Sequence, residues 1–360
     1  MSESDLMGAT VDVDMIRLAV IPGDGVGPEV LAEALPLLEW ARARGRNLTW
    51  ESFPHGADHC LATGETLSEA TFARLRDEFD AVLFGAVGDP RIPDGRHAEG
   101  ILLRLRQELQ LAVNWRPCTP FLPSHSPLRD CPVEAQRLEV FRENTEGPYC
   151  LQGNREGSRA VDLAIHTDLA VDRLLTEAFR RAQAQGLPLT LAHKANVLKF
   201  GHGLWITRFE RLKSQFPGVV AKGMHADALL CALIQNPAPF GIIAADNFLG
   251  DLISDLTAAF MGGMGMAPSL NYAPHRPFRC HALAEPVHGS APDLVGKAMA
   301  NPTGAILSLG LLFGHLGWAP EAEGIERAVA QALRAGAATP DLGGCLSTQA
   351  MGAAIRARLS

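Results

Sequence analysis

Tyrosine is scarce: the chain holds only two in 360 residues. Its seven cysteines stand singly at 60, 118, 131, 150, 231, 280 and 345. The count is odd and no CxxC occurs, which argues against a disulfide framework or a thiolate zinc site and fits scattered reduced thiols. No charge-free apolar run reaches membrane-spanning length, and the acidic start, MSESDLMGATVDVD, lacks the basic-then-apolar pattern of a signal peptide. Internal repeats and low-complexity tracts are missing too. Cationic charge is in deficit: 32 Lys and Arg against 40 Asp and Glu give a net charge of −8. That balance argues against nucleic acid or an anionic membrane as the main partner, but a small anionic substrate needs only a few local cations. A cytoplasmic protein of about two domains is expected, with ample core at 47% hydrophobic content.

Strand and helix patterns alternate along the chain. IRLAVI (16–21) reads as a buried strand, followed by the Gly-rich turn GDGVGPE (23–29) and an amphipathic helix closed by Gly45. LTWESFPHG and DAVLFGAVGDP read as further strands, EGILLRLRQELQL (99–111) as a helix, and VNWRP and RLEVFRENTEGPYC as strands, the second running into a loop. Residues 117–132 are Pro-rich and read as a surface connection; 151–166 suit a β-arm. Strand, loop and helix then recur through LPLTLAHKANVLK, GVVAKGMHADALLCALI and FGIIAADNFLGDLISDLTAAFMGG. Residues 262–303 are Gly-, Pro- and Ala-rich and read as loop-dominated, before two closing helices. Residues 1–15 read as a loose acidic lead. The pattern implies an α/β architecture with its site at strand ends.

Within DNFLGDLISD, a helix from Gly250 onward puts Asp251 and Asp255 one turn apart on one face. No Lys or Arg lies between Asp246 and Asp255. Such a pair is either a solvated face or a hard-oxygen site for Mg²⁺ or Mn²⁺. GDGVGPE has G-x-G-x-G spacing, not the Rossmann G-x-G-x-x-G, so a tight turn and a phosphate role both stay open. Tyr149 follows a Gly-Pro turn, Lys194 ends a strand in HKANVLK, and Asp227 follows another in HADALL. Arg106, Arg116 and Arg142 stand in or beside regular elements with apolar neighbours; their forks match carboxylates. Singly each is packing or surface; together they form a set that a core does not ask for.

PGDGVGPEV, RENTEGPY, HKANVLK, HADAL, NFLGDLISD and EPVHGSAPDLVGKAMANPTGAILS occur in that order, and with them the chain resembles the isocitrate/isopropylmalate dehydrogenase family over residues 16 to about 352. The resemblance implies a non-Rossmann α/β fold of two domains around a central cleft. Residues 1–111 plus 262–360 would form the large domain, and 112–261 a small domain carrying the dimer surface and arm. It implies a homodimer with shared sites. Asp251 and Asp255 of one subunit and Asp227 of the other would hold Mg²⁺ or Mn²⁺, Arg106, Arg116 and Arg142 would grip substrate carboxylates, Lys194 from the partner would be the base, and Tyr149 the acid. Asn196 falls at a substrate- or nicotinamide-side contact. Glu285, His288, Gly289, Ser290, Ala291, Asp293 and Asn301, with Asp341 of TPDLGG, fall on the cofactor segments.

Asp293 would accept hydrogen bonds from adenosine ribose hydroxyls and repel a 2′-phosphate, so NAD is expected over NADP. Glu99-x-x-Leu102-Leu103-x-x-Arg106 resembles the isopropylmalate branch, where two leucines cover an alkyl group at carbon 3. A third carboxylate there would be desolvated and unpaired. The expected reaction is therefore NAD-dependent oxidative decarboxylation of a 3-substituted malate, 3-isopropylmalate first. Tartrate, homoisocitrate or another 3-alkylmalate is the alternative, since Asn144 and Glu146 of RENTEGPY, the Phe-Leu order of NFLGD and Ala226 depart from the commoner pattern. A catalytically silent regulatory paralogue is a remoter one, disfavoured because no catalytic residue is lost.

Overall fold

The structure, a computed structural model, describes residues 15–128 and 131–360. The acidic lead, Met15 apart, lies outside the described residues. The strands are β1 (Ile16–Gly23), β2 (Leu48–Ser52), β3 (Ala81–Ala86), β4 (Val113–Cys118), β5 (Leu138–Glu143), β6 (Gly153–Glu156), β7 (Arg159–Asp162), β8 (Leu189–His193), β9 (Ala221–His225), β10 (Ile242–Ala245), β11 (Pro268–Tyr272) and β12 (Ala282–Pro286). Ten of them form one sheet in the order β2-β1-β3-β12-β11-β4-β5-β10-β8-β9. Its two flanks are parallel, and antiparallel pairings in the middle, β12 with β11, β11 with β4 and β4 with β5, join them. β6 and β7 pair only with each other as an exposed antiparallel arm, within the 151–166 segment expected to form one.

The helices are α1 (Gly27–Ala34), α2 (Pro36–Ala43), α3 (Ala57–Thr63), α4 (Glu69–Glu78), α5 (Arg96–Ala98), α6 (Arg104–Glu108), α7 (Asp168–Gln185), α8 (Gly201–Lys213), α9 (Ala226–Gln235), α10 (Asn247–Phe260), α11 (Thr303–His315), α12 (Ala319–Arg334) and α13 (Thr348–Arg356). α11 is buried almost all round, as its uninterrupted apolar sequence requires, and packs on β11 and β12. Among the described residues no helix is long and apolar enough to cross a membrane.

Residues 262–303 are mostly loop, as expected, but they also carry β11 and β12, at the centre of the sheet. Their sequences, PSLNY and ALAEP, are short, small and buried on both faces, so they show no alternation to read. The helix expected over 99–111 begins at Arg96, passes through a π-helical turn at Glu99–Leu103 and ends at Glu108. Gln110 at φ 55 turns the chain into β4. A third closing helix, α13, follows the two expected.

The Gly-rich turn owes its glycines to close approach. Gly25 sits at φ +61, and a Cβ there would stand 1.9 Å from the carbonyl oxygen of Ser290, to which Val26 N–H donates at 2.8 Å. The turn is thus clamped to the segment after β12.

Candidate active site

Four elements converge on Asp251. α10 starts at Asn247 with Asp246 as its cap: the Asp246 carboxylate accepts from Leu249 N–H at 2.7 Å. The helix runs so close to β5 that a Cβ on Gly250 would lie 2.7 Å from the Arg142 side chain. Only glycine permits that approach, and it brings Asp251 onto Arg142. The Arg142 guanidinium, 1% exposed, donates Nη1–H to Asp251 Oδ1 and Nε–H to Asn247 Oδ1 at 2.9 Å. From β4, Arg116 donates to Asp251 Oδ1 at 3.1 Å and to Ser254 Oγ at 2.8 Å, and lies 3.5 Å from Asp255. Tyr149, set by the Pro148–Cys150 turn, donates its hydroxyl to Asp251 Oδ2 at 2.9 Å, its ring beneath Arg142 at 4.9 Å. Arg106, from α6, donates to the buried Glu285 Oε1 at 2.6 Å.

The electrostatics follow from this packing. Burial works to raise the Asp251 carboxyl, but the Arg142 and Arg116 guanidiniums outweigh it and hold Asp251 below the usual carboxylate range. Asp255 goes the other way: burial and the Asp251 charge push it up, against Arg116 and Arg142. Burial, reinforced by Arg116 and Arg106, lowers Arg142 to about 10, still a cation at neutral pH. Burial also raises the Tyr149 phenol, so it holds its proton. A half-buried carboxylate pushed up by its neighbour is relieved by a divalent cation, and hard oxygens one turn apart are a suitable donor set. The residues present therefore fit a Mg²⁺ or Mn²⁺ ion.

Lys194 and Asp227 form a second group. Lys194 follows β8 and Asp227 opens α9; Nζ and Oδ1 are 2.8 Å apart, and this bond holds Asp227 low. Asp227 does not gather with Asp251 and Asp255 within one chain: among the described residues the one set of three potential ligands closer than 4.8 Å is His166, His202 and Asp246. Asn196 is exposed on the Lys194 loop, beside Val197, Leu198 and Phe200, the last 94% exposed.

The segments expected to meet a cofactor begin at the end of β12. Glu285 is committed to Arg106 and to Asn271, 2.8 Å away, so its role in this state is to orient the arginine. His288 donates Nδ1–H to Gly289 O at 2.9 Å, with Nε2 buried and unpartnered. Gly289 and Asp293 are exposed, Ser290 is buried against the Gly-rich turn, and Ala291 takes the left-handed conformation at φ 41. Asn301 donates to Asp341 at 3.1 Å. Glu99, Leu102 and Leu103 lie on the π turn; Leu102 and Leu103 are half-buried, and Leu102 packs on the cluster of Phe53, Phe84 and Leu105.

A cavity of about 660 Å³ lies elsewhere, lined by Trp115, Phe141, Tyr272 and His315. Trp115 and Phe141 alternate with Arg116 and Arg142, so it opens on the other face of the sheet. Sequence reasoning missed Asn247 and Ser254, which bond Arg142 and Arg116, and Asn271, which holds the Glu285 partner of Arg106. Only Asn247 had a signal, as the helix-entry residue of DNFLGD.

A ten-stranded mixed sheet, with arginines, paired carboxylates and a tyrosine gathered where β4 and β5 meet α10, defines an α/β oxidoreductase. The chain belongs to the isocitrate/isopropylmalate dehydrogenase family, whose model matches residues 17–355. It is 42% identical over 320 residues to a 3-isopropylmalate dehydrogenase of Streptomyces coelicolor, covering 87% of this chain and 91% of that one. A 3-isopropylmalate dehydrogenase of Thermobifida fusca is 40% identical over 352 residues, 96% and 98% of the two chains. The isocitrate dehydrogenase structure from Methylococcus capsulatus superposes with a TM-score of 0.86 at 30% identity, covering 96% and 99%.

Proposed function

We propose that the protein oxidises and decarboxylates a 3-substituted malate, 3-isopropylmalate foremost, with NAD and a divalent cation, as a homodimer whose sites are shared. The observation that carries this is the convergence of Tyr149, Arg116, Arg142, Asp251 and Asp255. Asp251 and Asp255 of one subunit and Asp227 of the other would hold the cation, which would supply charge stabilisation, while bound NAD would supply the hydride acceptor; that Asp227 lies apart from the pair in a single chain supports this division. Arg106, Arg116 and Arg142 exchange their present carboxylate partners for those of the substrate. Lys194 takes the hydroxyl proton as the hydride leaves carbon 2. The β-keto acid so formed loses CO₂, and Tyr149 delivers its proton to carbon 3.

Leu102 and Leu103 would offer an apolar wall to a carbon-3 alkyl group, and the exposed Asp293 would accept hydrogen bonds from ribose hydroxyls of NAD. The apolar exposure of Phe248 and Leu252 on α10, Ile234 on α9 and Phe200 is what a subunit interface would cover. The sheet draws β1–β3, β11 and β12 from 1–111 plus 262–360 and the rest from 112–261, which favours the division into large and small domains at those boundaries.

Side-by-side assay of 3-isopropylmalate, isocitrate, homoisocitrate and tartrate, with NAD or NADP and Mn²⁺ or EDTA, tests the reading. Highest kcat/KM on 3-isopropylmalate with NAD, abolished by EDTA, is expected. Turnover unaffected by EDTA, or a preference for isocitrate, would refute it.

A further inference from the structure

His202 and the second carboxylate oxygen of Asp246 belong to no role assigned above, yet both residues are nearly fully buried, Asp246 at 5% and His202 at 1% exposure. The Lys194 backbone N–H donates to His202 Nδ1 at 2.7 Å. A backbone N–H can only donate, so Nδ1 carries the lone pair and Nε2 the proton. That Nε2 lies 2.8 Å from Asp246 Oδ2 and donates to it. The other Asp246 oxygen caps α10. One imidazole therefore ties the root of Lys194 to the first turn of the helix that carries Asp251 and Asp255.

We propose that His202 is a positioning residue: it fixes the Lys194 backbone, while Asp246 fixes its tautomer and tilt. This rests on the reading of Lys194 as the base. A lysine is a poor candidate for self-positioning, since its stem is long and flexible and its head is paired with the exposed Asp227. What defines its direction is the backbone at its root. There the carbonyl accepts from Val197 and Leu198 N–H at 3.0 and 2.9 Å, and the N–H is held by His202. Both ends of the Lys194 peptide are thus committed. Release of the N–H end lets the loop after β8 rotate, and a displacement of about 1 Å at a reacting group costs on the order of 100-fold in rate.

The same residues invite a metal reading, because potential ligand atoms of His166, His202 and Asp246 lie within 4.8 Å of one another. The protons decide against it. The His166 Nδ1 lone pair accepts from Trp205 Nε1–H at 3.2 Å, as that of His202 accepts from Lys194. The nitrogens left on both rings carry N–H, and neither offers a lone pair to an ion. His202 and Asp246 form a hydrogen-bonded relay between Lys194 and α10.

Two substitutions separate the halves of the relay in the dimeric enzyme. His202→Asn keeps an acceptor oxygen near the Nδ1 position but does not reach Asp246. His202→Gln keeps a donor toward Asp246 but, with its amide at the Nε2 end, places no acceptor at the Nδ1 position for Lys194. His202→Gln is expected to lower kcat about 30- to 100-fold, with KM and Mn²⁺ dependence within about 2-fold. His202→Asn should stay within about 3-fold of the parent kcat. Amide exchange at Lys194, followed by mass spectrometry, should quicken at least about 10-fold in His202→Gln and not in His202→Asn. Equal kcat and equal exchange in the two variants would overturn the proposal, as would a change confined to melting temperature. Stoichiometric Zn²⁺ binding lost in His166→Ala would overturn it in favour of a metal site. Lys194→Met separates the two claims. If it retains turnover, the base assignment fails; if it is inactive, the His202 pair tests the positioning role alone.

Discussion

Asp255→Asn should stabilise the free protein while removing its response to metal. The Asp255 carboxyl is held above its usual range, by burial and by the Asp251 charge. A folded-state pKa above the unfolded one means that the stabilisation belongs to the protonated form. It is fully present below the unfolded value of 3.8 and lost as pH rises through the folded value. At neutral pH the ionised group is therefore a cost. Its side chain is 36% exposed, so solvent screens much of that cost. A like-charge pair one turn apart costs about 0.2–0.5 kcal/mol, and partial burial brings the expected gain on neutralising it to about 0.5–1 kcal/mol. Arg116 keeps Asp251 and Ser254 as partners, so no buried cation is stranded. Against this stands linkage: Mn²⁺ at about 100 times its dissociation constant stabilises a binding-competent fold by about 2.7 kcal/mol. Denaturant unfolding at neutral pH in EDTA and in Mn²⁺ reads both terms. The variant should be more stable than the parent in EDTA and less stable in Mn²⁺. A loss of more than about 1 kcal/mol in EDTA, beyond the ordinary cost of a surface substitution, would refute the electrostatic argument. An unchanged Mn²⁺ response would refute the metal assignment.

Tyr149→Phe should lower kcat about 10²- to 10⁴-fold by removing the proton donor, while single-turnover NADH formation persists; equal loss of both would contradict the division between Tyr149 and Lys194. Phe248→Glu with Leu252→Glu should convert a dimer to a monomer on sedimentation and abolish turnover, because the charges replace two of the exposed apolar groups of α10. Burial, with His281 and Arg276 nearby, lowers His315 to about 4 from 6.5. The unfolded chain then binds the extra proton first, so stability should decline as pH falls from 6.5 toward 4, by about 2 kcal/mol after allowance for partial exposure. His315→Asn should flatten that decline in denaturant titrations across the range; an unchanged slope would show that His315 does not cause it.

Local reading served where chemistry and periodicity are local. DNFLGDLISD announced a helix with Asp251 and Asp255 on one face, and the structure has it. The strand ends after β8 and β9 carry Lys194 and Asp227 as expected, because runs such as LTLAH are apolar enough to show as strands. The same reading failed at β11 and β12, whose doubly buried small residues carry no period. It left Asp246 unexplained, since its partner His202 is 44 residues away.

The sequence by itself determined which groups are available and at what spacing: the acid pair, the three arginines, the tyrosine, the lysine, and a family membership written in ordered motifs. Spacing along one helix or strand fixes a face, and a face is a local property. The tertiary structure alone decided which cation meets which acid. Arg116 and Arg142 reach Asp251 from 135 and 109 residues away. They do so because β4 and β5 pair antiparallel and Gly250 lets α10 lie against Arg142. That contact sets the opposite pKa shifts of Asp251 and Asp255, two carboxylates that the sequence presents as alike.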